Sequence, residues 1–211
     1  MADNAPIRPT TSKDIPIVYE FLQRQNKEAY MIRSERAWKV MAAMLCEDGD
    51  AQLSTVYQID GVVVGFCSII TDPGKFWKTF VKRYGYFRFW MKKFRQTIEI
   101  LQEQNNGKTK PVIEGPIDAE FLARSQKRYE SVPGKTYGYY LYVDPEMKAG
   151  KGGIAFELNH DMESRLKRLG FKTIESEILI ENEIARQFNL VLGRDIRSIG
   201  DMWYMVASLS D

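Results

Sequence analysis

The stretch from Met147 to Gly170, MKAGKGGIAFELNHDMESRLKRLG, runs from a glycine cluster directly into a segment of helical length and ends at another glycine. Apolar residues recur there at the spacing of one helix face, which is formed by Ile154, Leu158, Met162, Leu166 and Leu169. A glycine turn before a helix presents main-chain N–H groups beside the positive end of the helix dipole, which suits a bound phosphate. Such turns also serve as plain connections, so the function of this one depends on the rest of the chain.

The composition predicts one ordered domain. With 211 residues, 44% of them hydrophobic, the chain is long enough to bury a single core. The net charge of +2 gives no global indication of nucleic-acid binding, and no metal-ligand pattern is present. Cys46 and Cys67 lack the spacing of a metal or redox motif, which favours two buried, reduced thiols and a cytoplasmic protein. There is no signal-peptide pattern and no apolar run long enough to cross a membrane.

Helices and strands alternate along most of the chain. Thr11 and Asp14 form a capping-box pair at the start of the first helix. The predicted elements are a short strand in PIRPTT, helices over 12–27 and 34–46, a hairpin over 52–70 around Asp60-Gly61, strands over 136–143, 172–180 and 201–209, and helices over 154–169 and 182–193. Because each amphipathic helix must cover a sheet face, this order predicts an α/β or α+β layered fold.

Residues 72–135 interrupt the alternation, and we interpret them as a helical insertion in a single domain spanning 1–211. Residues 75–103 have helical character, and the spacing of the aromatic residues predicts an amphipathic pair of helices broken near Gly85. Residues 75–95 carry eight basic residues and no acidic one, interleaved with those aromatic side chains. Three interpretations stay open. The segment could be a cover packed on the sheet with a solvated basic face, a helix lying at a membrane surface, or a surface that attracts an anionic acceptor.

Four stretches together resemble the GNAT acyltransferase superfamily, whereas the nucleotide motifs GxxxxGK[ST] and GxGxxG are missing. IRPTTSKDIPIVYEFL resembles the first strand and helix of that family, and DGVVVGFCSI resembles its hairpin into the third strand. LYVDPEMKAGKGGIA resembles the fourth strand and pyrophosphate loop, and ILIENEIARQFNLVLG resembles the fifth strand and the helix that begins with asparagine. The resemblance covers nearly the whole chain outside 71–135.

The resemblance implies a mostly antiparallel sheet that is splayed between its fourth and fifth strands, where the pantetheine arm of acetyl-CoA inserts. It implies transfer of an acetyl group to a primary amine, with a small molecule or a peptide as the acceptor, and homodimers are common in such families. The positions that the resemblance assigns to cofactor binding are Leu141, Val143, Lys148, Gly150, Lys151, Gly152, Gly153, Ile154, Ala155, Asn182, Ala185 and Phe188.

Two positions depart from the family pattern. Gly150 stands where the loop normally has arginine or glutamine, and Asn189 stands where many members have a tyrosine that protonates the leaving thiolate. Asparagine cannot act as a general acid. These departures favour an alternative in which the chain binds CoA or another ligand without turnover.

Candidates for proton transfer lie on the fourth strand and in the insertion. Strict alternation places Tyr137 and Tyr139 on one face with Leu141 and Val143, where the two tyrosines could order water or simply pack. Glu114, after a short apolar run in the insertion, is a further candidate base. The chain's single histidine, His160, lies away from the apolar stripe of its helix, so we expect it to be a solvated surface residue.

Overall fold

A computed structural model of the chain describes residues 6–25, 35–47, 49–85, 130–148, 153–179, 182–199 and 202–209. Its strands are β1 Ile7–Pro9, β2 Gln52–Ile59, β3 Val62–Ile70, β4 Lys135–Val143, β5 Thr173–Leu179, β6 Asp195–Ile199 and β7 Met202–Ser208. Its helices are α1 Ile15–Gln25, α2 Glu35–Cys46, α3 Pro73–Tyr84, α4 Pro145–Lys148, α5 Ile154–Arg168 and α6 Glu183–Val191. The described strands form one sheet in the order β1-β2-β3-β4-β5-β7-β6, antiparallel except for the β4–β5 pair.

The capping pair predicted at the first helix is present. The main-chain N–H of Thr11 donates to the Asp14 carboxylate at 2.8 Å, and both terminal nitrogens of Arg8 donate to the same carboxylate at 2.8 Å. Burial raises the pKa of Asp14, but the hydrogen bonds from Arg8 and Thr11 outweigh it, so the pKa lies below its usual value. The helix opens with a 3₁₀ turn over Ser12–Asp14.

The hairpin predicted at Asp60-Gly61 joins β2 to β3. Asp60 has a φ of 50° and Gly61 a φ of 80°, the pair of positive angles that a tight hairpin turn of this twist requires. Because Ile59 pairs with Val62, the turn has two residues and fixes the register of both strands at this end.

Helices cover both faces of the sheet. On one face α1, α2 and α3 bury an apolar cluster against Phe66 and Ile70 of β3. On the other face the α5 stripe is buried against Cys67 and Ile69 of the same strand. Adjacent strand residues therefore belong to different cores, which confirms the layered fold. Leu169 is a correction to the predicted stripe: it follows the last helical residue and is 61% exposed.

The helix α3 ends at the break that the sequence pattern predicts. Its last residue is Tyr84, and Gly85 follows at a φ of 105°, whereas the helical character expected from there to residue 103 falls on residues outside the described part of the chain. Phe76, Phe80 and Tyr84 are buried against the α1–α2 side of the sheet, and the lysines of α3 face outward. This part of the basic segment therefore packs as a cover. Residues 86–129 lie outside the described part of the chain.

One strand of the sheet was not predicted from the sequence. Residues Asp195–Ile199 form β6, which pairs antiparallel with β7 at the edge of the sheet. The strand is short and rich in polar residues, as expected of a sheet edge, so it lacks the apolar alternation that identifies a half-buried strand.

Candidate active site

The strands β4 and β5 run parallel but pair over three residues only. The pairs are Lys135 with Thr173, Thr136 with Ile174, and Tyr137 with Glu175. Beyond Tyr137, β4 continues to Val143 paired with β3, and β5 continues to Leu179 paired with β7. The facing edges of the two strands are thus separate at their carboxyl ends. A ligand inserted between the two strands would face the main-chain N–H and C=O groups of both edges.

A bulge at Gly138 marks the point of separation. The register between β3 and β4 shifts there, because Ile70 pairs with Tyr137 whereas Ile69 pairs with Tyr139. Gly138 has a φ of 86°, and a Cβ at this position would lie 3.1 Å from Cδ1 of Ile70. A bulge bends a strand and raises its twist, which accounts for the departure of β4 from β5. The corresponding signal in the sequence is an isolated glycine within an aromatic strand, a pattern that often marks a bulge.

The bulge overturns the predicted alternation of the β4 tyrosines. Tyr137 pairs with Ile70 and is buried against Tyr204, on the face opposite to the one that Leu141 and Val143 share. The expectation that Tyr137 lies on the same face as those two residues is therefore wrong, because Gly138 interrupts the two-residue period.

The residues after β4 lead into α5. The segment from Pro145 to Lys148 forms α4, Gly153 caps α5, and Ile154 begins that helix with a buried side chain. Gly65 of β3 allows α5 to lie close, since a Cβ there would be 3.0 Å from a methyl group of Leu158. Contact of α5 with the sheet beside the end of β4 thus places the helix N-terminus at the open end of the strand separation.

Several predicted positions lie outside the described residues. These are Gly150, Lys151 and Gly152 of the loop and Glu114 of the insertion, together with the side chains of Tyr139 and Lys148. Among the described loop residues, Ala155 is half-buried against the α5 side of the core.

The predicted residues of α6 lie next to the first turn of α5. Asn182 caps α6, and its side-chain oxygen accepts a hydrogen bond from the Ala185 N–H at 3.1 Å. Phe188 packs against Phe156 with ring centroids 5.0 Å apart. This contact of Phe156 was not predicted from the sequence, because it joins two helices that are distant along the chain. The matched positions of α5 and α6 are therefore neighbours in space.

Asn189 belongs to a buried hydrogen-bond network between α5 and α6. Its amide nitrogen donates to the Ala185 carbonyl at 2.7 Å, and its oxygen accepts from Arg194 at 2.6 Å. Arg194 is 6% exposed and also donates to Asn159 and, at 2.5 Å, to Glu163. Asn189 therefore holds α6 and Arg194 together, and its amide supplies no proton for a leaving group.

A second buried polar cluster, the rung cluster, lies at the closed end of the separation and comprises Lys135, Tyr137, Glu175 and Tyr204. The Lys135 ammonium lies 2.5 Å from the Glu175 carboxylate, and the hydroxyl of Tyr204 donates to the same carboxylate. Glu175 was not selected from the sequence. The available signal was a glutamate within an otherwise apolar strand, since a buried charge needs a partner.

Neither a family model nor a curated protein matches the chain by sequence. Solved structures match it across almost the full length of both chains. One is the ribosomal-protein-S18-alanine N-acetyltransferase of Escherichia coli, with a TM-score of 0.54 and 14% identity over 97% of this chain and 94% of that one.

Two further matches come from Thermoplasma. Ard1 of Thermoplasma volcanium matches with a TM-score of 0.56 and 14% identity, over 97% of each chain. The PaiA N-acetyltransferase of Thermoplasma acidophilum, solved in complex with coenzyme A, matches with a TM-score of 0.53 and 13% identity, over 96% of this chain and 97% of that one. The chain has the GNAT fold. At these identities the likeness shows the GNAT architecture and does not show the activity of this chain.

Within the described residues, no three His, Cys, Asp or Glu side chains are placed to hold a metal ion, and no helix is long and apolar enough to cross a membrane. His160 is exposed, as expected. Cys46 and Cys67 are both buried, and burial raises the pKa of the Cys46 thiol to about 12, which keeps it protonated and unreactive at neutral pH.

Proposed function

We propose that this protein is an acyl-CoA-dependent N-acyltransferase that transfers an acetyl group from acetyl-CoA to a primary amine by direct attack. The separation of β4 from β5 beyond the Tyr137–Glu175 pair is the observation that carries this proposal. An extended pantetheine arm has amide groups of the kind that pair with the edge of a β-strand, and it would lie between the facing edges of β4 and β5. The N-terminus of α5 lies at the open end, where a diphosphate would meet main-chain N–H groups.

The donor would contact three elements. The arm would run along β4 at Leu141 and Val143, and the diphosphate would bind the turn before α5. The residues that we assign to that turn are Lys148, Gly150, Lys151, Gly152, Gly153, Ile154 and Ala155. On the α6 side, Asn182, Ala185 and Phe188 would border the arm, a placement supported by the packing of Phe188 on the first turn of α5.

The chemistry needs little from side chains beyond positioning. The amine nitrogen attacks the thioester carbon, and a main-chain N–H of β4 stabilises the oxygen as negative charge develops on it. The C–S bond then breaks, and a thiolate whose conjugate acid has a pKa of about 8.5 leaves without assistance from a general acid. This agrees with an asparagine at position 189. Tyr137 and Tyr139 remain candidates for ordering the water that carries the amine proton away, and Glu114 remains a candidate base.

A second candidate function is a CoA-binding module without turnover. The observation that favours it is the engagement of Asn189 with Arg194 and Ala185, because the position that many family members use for proton donation is occupied by a structural contact.

Calorimetric titration with acetyl-CoA, followed by a thiol-release assay with an amine panel, separates the two candidates. The panel should include short peptides with an N-terminal alanine and a linear polyamine. Binding with amine-dependent thiol release is the expected result. Binding without release supports the module, and failure of both CoA and acetyl-CoA to bind contradicts both candidates. Gly153→Val serves as a loop variant whose weaker binding would locate the site.

A further inference from the structure

We propose that the rung cluster forms the inner end of the acyl slot and restricts the donor to short acyl groups. The inference rests on the proposed function, since it assumes that a thioester carrier occupies the separation between β4 and β5. It concerns the size of the group carried by that thioester, which neither the sequence nor the fold specifies.

The rung cluster lies on one face of the sheet at the last pair of the β4–β5 ladder. Lys135 and Tyr137 are two residues apart on β4, before the bulge, so they share a face. Glu175 pairs with Tyr137, and Tyr204 reaches the same carboxylate from β7. Three neighbouring strands therefore meet at a single carboxylate where the two edges begin to separate.

The direction of the slot places the acyl group beside this cluster. The open edge of β4 runs from Val143 back to Gly138, a distance of roughly 17 Å for five steps of about 3.3 Å each. A carrier whose diphosphate lies at the N-terminus of α5 enters beside Val143. Its arm then extends towards Gly138, so the acyl group at its end is the part nearest the Tyr137–Glu175 pair.

The inner end of the slot is both filled and charged. The side chains of Lys135 and Glu175 are 13% and 4% exposed, and Tyr204 and Tyr137 fill the space beside them. We expect the methyl group of an acetyl thioester to end before the cluster. A longer alkyl chain would have to displace the tyrosine rings or lie against a buried ion pair, and separating such a pair leaves an uncompensated charge in the interior.

The test compares the binding of CoA, acetyl-CoA and octanoyl-CoA by calorimetry, which needs no knowledge of the acceptor. We expect the wild-type protein to bind acetyl-CoA at least tenfold more tightly than octanoyl-CoA. In the double variant Lys135→Met/Glu175→Leu both charges are removed together, so that no unpaired charge is left in the interior. We expect this variant to bind octanoyl-CoA more tightly than the wild-type protein does, so that the ratio of the dissociation constants of octanoyl-CoA and acetyl-CoA falls below threefold.

Asp14→Asn is the matched control, because it neutralises another buried carboxylate, which is paired with Arg8 of β1 at the edge of the sheet, three strands from β4. It should leave the ratio unchanged. Equal binding of acetyl-CoA and octanoyl-CoA by the wild-type protein overturns the inference even if the double variant does not fold. An unchanged ratio in a folded double variant overturns it as well. If the wild-type protein binds none of the three compounds, the proposed function itself fails and this inference fails with it.

Discussion

Replacing Gly138 with alanine tests the link between the bulge and donor binding. Gly138 has a φ of 86°, in the region where an L-residue costs about 1–2 kcal/mol. The new Cβ would also lie 3.1 Å from Cδ1 of Ile70, a side chain with no exposed surface and little room to move. The substitution therefore favours a β4 without the bulge, in which the edge from Gly138 to Val143 no longer diverges from β5 in the same way.

The expected effects differ between stability and binding. A loss of about 1–2 kcal/mol in a chain of this length lowers the melting temperature by roughly 2–8 °C. Displacement of the open edge should weaken acetyl-CoA binding by more than tenfold, which corresponds to about 1.4 kcal/mol or more. The binding loss should thus accompany only a moderate loss of stability.

Gly61→Ala is the matched control for this experiment. Gly61 has a φ of 80° and no heavy atom within 4 Å of its would-be Cβ, and it lies in the β2–β3 turn. Its alanine variant should lose similar stability and keep its affinity for acetyl-CoA. Melting curves and calorimetric titration of both variants give the comparison. If Gly138→Ala binds acetyl-CoA as tightly as Gly61→Ala does, the bulge does not shape the donor site.

Three further predictions address the loop, the helix contact and the first turn. Gly153→Val should fold normally, because the φ of −100° at this position suits any residue and only the Glu157 carboxylate lies near the new Cβ. The variant should nevertheless weaken CoA binding about tenfold or more, and wild-type affinity by calorimetry would contradict the loop assignment. Arg194→Met should cost about 1–3 kcal/mol, because it leaves the buried side chains of Asn159 and Asn189 without their donor and the half-buried Glu163 without its cation. A loss below about 0.5 kcal/mol in urea unfolding would count against this reasoning. Asp14 has a lowered pKa in the fold, so the stability that it contributes is present above about pH 4 and is lost as the pH falls through the pKa of the folded state. Asp14→Asn should therefore make the free energy of unfolding depend less on pH in the acid range. An unchanged dependence between about pH 2 and pH 6 would refute the contribution.

Local patterns in the sequence were sufficient for most of the elements. The Asp60-Gly61 turn, the capping pair at Thr11 and the buried stripe of α5 each depend on residues within a few positions of one another, so periodicity and turn chemistry predict them. The family resemblance predicted a separation between the fourth and fifth strands. In the structure that separation lies between β4 and β5.

Features that depend on distant partners were not predicted. The faces of the β4 tyrosines follow from the register against β3, which Gly138 shifts, and no count along β4 alone contains that register. The buried environment of Glu175 comes from Lys135 and from Tyr204, 29 positions further along the chain. Likewise, Asn189 is recognisable in sequence as a departure from the family pattern, but its role depends on Arg194 and on contacts with α5.

The three-rung join between β4 and β5 gives the sheet a seam. Strands β1 to β4 lie on one side of this seam and β5 to β7 on the other. An extended molecule in the gap would pair with both edges as an additional strand and so connect the two halves of the sheet. Donor binding should then do more than raise the melting temperature. It should slow hydrogen exchange along the edges of both halves at once, so that the protein unfolds more nearly as one body when loaded than when empty.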